Sequence, residues 1–139
     1  MAGNSGSHLF TYGSLMFPEV WQRVVGHESE GTKGKLAGFS AFRVRGQGYP
    51  GLVEAGPESA TNGVLYRNLS EQDWAKLDEF EGSFYRRTEV EIETEEGVES
   101  AHTYVVEEQH RDDLSSDLWD RDVFEKTGLQ QFIRNYIQD

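Results

Sequence analysis

Two segments joined by a short acidic turn restrict the fold of this chain more than any other feature. Thr88, Val90 and Ile92 alternate with charged side chains, the turn "EEG" follows, and "SAHTYVVEE" leads away from it. Alternation at every second residue is typical of a strand with one buried face, and two such strands around a tight turn form a hairpin. The sequence therefore predicts an antiparallel hairpin and a fold built on a sheet.

Shorter strand patterns precede this hairpin. "HLFTY" is a strand that a tight turn joins to a helix, which begins near Pro18 and closes at Gly26. Residues 34–46, "YPGLVEA" and "TNGVLYRNL" predict further strands with no helix between them. Strands that follow one another without a helix favour antiparallel pairing.

Two more helices are predicted, one after residue 70 and one at the end of the chain. Ser70 and Asp73 have the spacing of a capping box, and Gly82 is placed to end that helix. The last helix carries an apolar stripe at helical spacing: Leu129, Phe132, Ile133, Tyr136 and Ile137. With about six or seven strands and three helices, the chain is predicted to be α+β, a small mixed β-barrel with a few flanking helices.

Length and composition exclude several classes of protein. A chain of 139 residues predicts one domain at residues 9–139, with residues 1–8 as a disordered N-terminal end. The absence of cysteine and of a long apolar run predicts a cytoplasmic protein that binds no membrane. A net charge of −12 opposes nucleic-acid binding, and four scattered histidines predict no metal site.

The segment "WAKLDEFEGSFYRR" contains the strongest candidate for a catalytic group. Glu81 lies four residues after Leu77 and seven after Trp74, so it extends the buried stripe if the helix reaches it. Burial raises the pKa of a carboxyl group, and a nearby Asp78 raises it further, as a general acid or base requires. The structural alternative is that Glu81 caps a turn or pairs with Arg86 or Arg87.

The turn in "LFTYGSL" is the second candidate. Backbone N–H groups of a glycine-containing turn that leads into a helix can hold a carboxylate or a developing oxyanion. An ordinary strand-to-helix turn is the alternative. Ser14 is not predicted to be a nucleophile, because its surroundings lack the G-x-S-x-G pattern.

Taken together, "LFTYGSL", "GFSAFRVRGQGYPGLVE", "GVLYRNLS" and "LDEFEGSFYRRTEV" resemble the γ-glutamylcyclotransferase-like superfamily over about residues 9–106. The branch they resemble contains the γ-glutamylamine cyclotransferases and the plant avirulence-induced-gene-like proteins. The resemblance implies a small mixed barrel, and a cavity between the Y-G-[ST]-L turn and the glutamate of the E-G segment. It also implies release of an amine or amino acid from a γ-glutamyl compound as 5-oxoproline forms, with no cofactor or metal.

Carried over position by position, the resemblance makes Glu81 the catalytic acid and base. It makes the following residues candidates for substrate binding: Tyr12, Gly13, Ser14, Leu15, Tyr85 and Arg87. For Arg87, structural support is the alternative. The expected partner is a small γ-glutamyl substrate, and the expected state is a monomer or weak homodimer.

Two other functions are compatible with the same residues. One is a module that binds a γ-glutamyl or amino-acid-like metabolite without reaction. The other is an acyltransferase that passes the γ-glutamyl group to a second amine.

Overall fold

Eight strands and four α-helices are present in residues 8–136, the part of the chain that the computed structural model describes. The strands are β1 (Leu9–Thr11), β2 (Gly31–Ala37), β3 (Phe39–Val44), β4 (Pro50–Glu54), β5 (Ala60–Tyr66), β6 (Tyr85–Thr94), β7 (Gly97–Val106) and β8 (Leu114–Leu118). The helices are α1 (Pro18–Val25), α2 (Glu71–Glu81), α3 (Arg121–Thr127) and α4 (Leu129–Tyr136). Residues 1–7, most of the predicted disordered end, and Ile137 of the predicted stripe lie outside the described residues.

Five strands form a closed barrel in the order β1, β5, β2, β6, β7. Leu9 closes it, because it lies opposite Tyr66 in antiparallel β5 and opposite His102 in parallel β7. The predicted hairpin is β6 and β7, paired from Tyr85 and Val106 to Thr94 and Gly97. The small mixed barrel expected from the sequence is therefore confirmed.

A separate sheet of three strands, in the order β4, β3, β8, packs beside the barrel. The predicted count of six or seven strands was too low, because β8 carries no clear alternation of its own. Its sequence is "LSSDL", and it is held as a strand through pairing of Leu118 with Phe42 and of Leu114 with Val44. Tertiary pairing, rather than a local pattern, makes this segment a strand.

The first strand is buried on both faces, which is unusual for a segment of three residues. Leu9 and Phe10 are 0% and 1% exposed. Consecutive side chains of a strand point to opposite faces. Leu9 joins an apolar cluster that includes Trp21 and Tyr66, whose rings stack with centroids 3.8 Å apart, whereas Phe10 joins a second cluster with Leu65. This burial anchors the turn that follows β1.

Helix α2 begins and ends as its sequence predicts. Ser70 Oγ accepts a hydrogen bond from the N–H of Asp73, and Asp73 Oδ2 accepts one from the N–H of Ser70, both at 3.1 Å. The helix stops at Gly82, whose φ of 72° lies in the region that favours glycine. Glu81 is thereby the last residue of α2.

The predicted C-terminal helix is α4, and a further helix, α3, precedes it and meets it at Gly128. The apolar stripe is correct for Leu129, Phe132 and Ile133, which are all buried. The stripe begins at Leu129, so it did not predict α3. No helix within residues 8–136 is long and apolar enough to cross a membrane.

Candidate active site

A cavity of about 170 Å³ lies between the start of the chain's fold and the end of α2. Residues 9–15 form one wall. The other walls come from the start of β4, the end of α2, the residues that lead into β6, β7 and α4. The turn and the glutamate that the sequence singled out therefore line the same cavity.

Glu81 brings a carboxyl group to this cavity from the C-terminal end of α2. The residue is half-buried, and within residues 8–136 its carboxyl group makes no hydrogen bond or ion pair. Loss of solvent raises the pKa of Glu81 to about 8, and the negative charge of Asp78 contributes to the same rise. Near neutral pH this carboxyl group can therefore both accept and donate a proton.

The turn after β1 presents backbone donors to the cavity. Ser14, Leu15 and Met16 form one 3-10 turn, in which the N–H of Met16 donates to Gly13 O at 3.0 Å. The N–H groups of Gly13, Ser14 and Leu15 donate to no acceptor within residues 8–136. A helical turn leaves its first donors unsatisfied, and here they belong to residues that line the cavity.

Gly13 is needed for a reason that the sequence did not disclose. A Cβ atom at this position would lie 2.9 Å from Pro50 Cγ and 3.0 Å from Pro50 Cδ. In the structure, Pro50 is the neighbour that requires a glycine at this position. The glycine lets the turn and the start of β4 close the cavity from two sides.

Three buried or half-buried tyrosines surround Glu81 without hydrogen bonding to it. The hydroxyl of Tyr12 donates to Tyr104 O at 2.6 Å, and that of Tyr85 donates to Pro50 O at 2.7 Å. The hydroxyl of Tyr104 donates to Asp78 Oδ1 at 2.7 Å. Burial raises the pKa of all three phenols, so they stay neutral, and their oxygens can still accept hydrogen bonds.

Arg87 lies outside the cavity wall. Its Nη2 is 3.5 Å from Asp78 Oδ2, and its guanidinium lies over the ring of Trp74, 4.4 Å from the centroid. Arg86 points to Glu107, with 3.8 Å between Nη1 and Oε1. Neither arginine forms the ion pair with Glu81 that the sequence left open, and Arg87 reaches the site only through Asp78.

Sequence reasoning missed the aromatic part of the cavity, which is formed by Tyr49, Phe80, Phe84 and Phe132. The position of Phe80 next to Glu81 was a usable signal. Phe132 was predicted to pack, but periodicity does not reveal what a helix packs against. Residues 8–136 contain no group of three His, Asp or Glu side chains arranged to hold a metal ion.

Solved structures share the closed mixed barrel of this chain. A solved structure named gamma-glutamyl cyclotransferase is 19% identical, with a TM-score of 0.63 over 73% of this chain and 66% of that one. A solution structure of an Arabidopsis thaliana protein is 24% identical, with a TM-score of 0.71 over 96% of this chain and 93% of that one. These two likenesses establish the fold.

The family follows from the sequence match. The profile of the family described as "Gamma-glutamyl cyclotransferase, AIG2-like" matches residues 9–121, and the chain belongs to that family. AIG2-like protein C of Arabidopsis thaliana is 29% identical over 136 residues, which cover 96% of this chain and 77% of that protein. The superfamily that the motifs resemble is thus confirmed, and the match extends beyond them to the first residue of α3.

Proposed function

We propose that this protein is a γ-glutamyl cyclotransferase that converts a γ-glutamyl amide into 5-oxoproline and a free amine. The α-amine nitrogen of the substrate forms a bond to the γ-carbonyl carbon, and the bond from that carbon to the leaving nitrogen breaks. Starting from the α-ammonium form, two protons leave the α-nitrogen and both end on the departing amine, which leaves as an ammonium group, so the reaction consumes no water. Membership of the family and the position of Glu81 in the cavity support this proposal.

Glu81 is the group that moves the proton. An α-amine has a pKa of about 8 and is mostly protonated at neutral pH, so a base must free its lone pair before it attacks. A carboxyl group whose own pKa is about 8 exchanges a proton with that amine at little cost. The same carboxylic acid then returns the proton to the departing amine.

The tyrosine oxygens and the turn hold the two ends of the glutamyl group. Tyr12 and Tyr85 have committed their protons to carbonyl oxygens, so their hydroxyl oxygens are available to accept hydrogen bonds from an ammonium group. The free N–H groups of residues 13–15 are donors for a carboxylate or for negative charge on the γ-oxygen. The cavity thus offers the glutamyl group both hydrogen-bond donors and acceptors.

Folding the substrate accounts for much of the expected acceleration. The nucleophile and the electrophile belong to one molecule, and oriented intramolecular attack is worth ~7–11 kcal/mol. A cavity of about 170 Å³ has room for a compact folded glutamyl group. The enzyme therefore needs no covalent intermediate with Ser14 or any other side chain.

The observation that carries the proposal is an unpaired, half-buried glutamate with a pKa near neutrality in a cavity lined by free backbone donors. It is tested by mass spectrometry of 5-oxoproline and free amine, with wild type, Glu81→Gln and Glu79→Gln. Substrates are γ-glutamyl amino acids, γ-glutamylamines and γ-glutamyl-ε-lysine. We expect product from wild type and Glu79→Gln, and roughly a 10²–10⁴-fold loss in Glu81→Gln.

Other outcomes identify the rival functions. Saturable binding of these compounds without any product would indicate a binding module rather than an enzyme. A new γ-glutamyl compound, formed only when a second amine is added, would indicate acyl transfer rather than cyclisation. Full activity in folded Glu81→Gln would remove the proton-transfer role of Glu81.

A further inference from the structure

Two chemically different sets of residues line the cavity. Glu81, the Tyr12 and Tyr85 hydroxyls and the turn donors are the polar set. The aromatic set, or aromatic wall, comprises Tyr49, Phe80, Phe84 and Phe132, and contacts with Phe132 hold Tyr49 and Phe80 together. If the glutamyl group binds the polar set, as the proposed function requires, the aromatic wall is left for the group beyond the scissile bond.

Phe132 holds the aromatic wall together. Its ring centroid lies 6.2 Å from Tyr49 and 6.2 Å from Phe80, and both pairs are edge-to-face, at 70° and 78°. It also meets Phe124 of α3, with centroids 5.7 Å apart. Phe132 is 7% exposed, so helix α4 closes the cavity on this side with a well-packed aromatic side chain.

The charge of the wall restricts what can bind there. Glu81 is the only charged side chain among the described residues that line the cavity, and no Lys or Arg is present there. A carboxylate on the leaving group would have to give up water without gaining a cation, in a protein of net charge −12. A strongly hydrated ammonium group is disfavoured as well, because Tyr49 and Phe80 pack edge to face on Phe132 and form an apolar surface that cannot replace its water.

We infer that helix α4, through Phe132, selects γ-glutamyl amides whose leaving amine carries an uncharged, apolar substituent. This inference rests on the proposed function. It names Phe132 as a specificity-determining residue, and it narrows the substrate class from γ-glutamyl compounds in general to amides of neutral amines.

The test compares three γ-glutamyl amides of similar length: isobutylamide, the glycine conjugate and the 2-aminoethylamide. They present an apolar group, a carboxylate and an ammonium group. We expect wild type to have the highest kcat/KM for the isobutylamide. Phe132→Leu is expected to lower that value about tenfold and to leave the other two nearly unchanged.

Leu129→Ala is the matched control. Leu129 is a buried residue of α4 that does not line the cavity, so this variant loosens the same helix without altering the wall. It is expected to change all three values by one common factor. If Phe132→Leu also scales all three equally, or if wild type prefers a charged leaving group, the inference is overturned while the cyclotransferase reaction stands.

Affinities of Glu81→Gln for the same amides, measured by calorimetry, keep the inference testable without turnover. Absence of 5-oxoproline from every amide would refute the proposed function. Tightest binding of the isobutylamide would then still support the apolar wall. Equal or absent binding of all three would overturn the inference too.

Discussion

Asp78 and Glu81 lie three residues apart at the end of α2, and only Asp78 has partners. Tyr104 donates to its Oδ1 at 2.7 Å, and Arg87 lies 3.5 Å from its Oδ2. Glu81 is left without a cation or a donor in the described chain, next to the negative charge of Asp78. Of the two carboxyl groups, only that of Glu81 is thus left to hold a proton near neutral pH.

This relationship predicts the pH dependence of the reaction. Wild-type kcat/KM should rise with pH toward about 8, because Glu81 removes a proton only when it is ionised. Asp78→Asn removes the neighbouring negative charge, so the rising limb should move to lower pH. Rates of 5-oxoproline release across the pH range measure this shift. If the rising part of the pH profile does not move in Asp78→Asn, Asp78 and Glu81 are not coupled. Glu79→Gln controls for the loss of an exposed charge on α2.

The raised pKa of Glu81 also predicts how stability depends on pH. The folded pKa lies above the usual 4.5, so between 4.5 and about 8 the folded state binds more protons than the unfolded state. The free energy of unfolding should therefore fall as pH rises through this interval. In wild type, this decrease in the free energy of unfolding should reach about 2 kcal/mol near pH 8, after allowance for screening by solvent in the cavity. Glu81→Gln should abolish the decrease.

Urea unfolding at both ends of the interval measures this difference. Wild type and Glu81→Gln should be similarly stable at the acid end, and the variant should be the more stable one at the alkaline end. Glu79→Gln should follow wild type throughout. If Glu81→Gln is less stable at the alkaline end, the carboxylate is stabilised rather than strained by its surroundings.

Arg87 offers a test of structural support against substrate contact. Arg87→Met keeps an aliphatic chain over Trp74 but leaves the charge of Asp78 uncompensated. The rising limb of kcat/KM should move to higher pH, while KM for the γ-glutamyl substrate on the plateau stays near the wild-type value. Arg86→Gln, a neighbouring exposed arginine, should change neither. A large rise in KM with an unmoved limb would instead establish contact between Arg87 and the substrate.

Gly13 should tolerate no side chain. In Gly13→Ala the added Cβ would lie 2.9 Å from Pro50 Cγ, so the turn or the start of β4 must shift. Because Pro50 O accepts the hydrogen bond from Tyr85, the substitution should raise KM and also lower stability by about 1–3 kcal/mol. Gly48→Ala is the control, since its Cβ would meet Phe124 at an ordinary 3.7 Å. If Gly13→Ala keeps the KM and stability of wild type, Pro50 can move away from the added Cβ at little cost.

Local sequence was sufficient to predict the elements that carry the candidate site. The capping box at Ser70 and the glycine at position 82 define the two ends of α2, and both act over a few residues. They place Glu81 at the helix end, where its spacing from Trp74 and Leu77 points it inward. Alternation in residues 87–93 likewise predicted β6 and its hairpin.

Only the tertiary structure decided which of these pieces meet. Gly13 touches Pro50, and Phe132 joins a wall with Tyr49 and Phe80, although these residues are far apart along the chain. Periodicity reports which face of a helix or strand is buried, but it carries no information on the partner of that face. Packing of the turn after β1 and of α4 against the start of β4 supplies those partners, so the sequence by itself determined where the glutamate lies on its helix, and the fold determined the cavity around it.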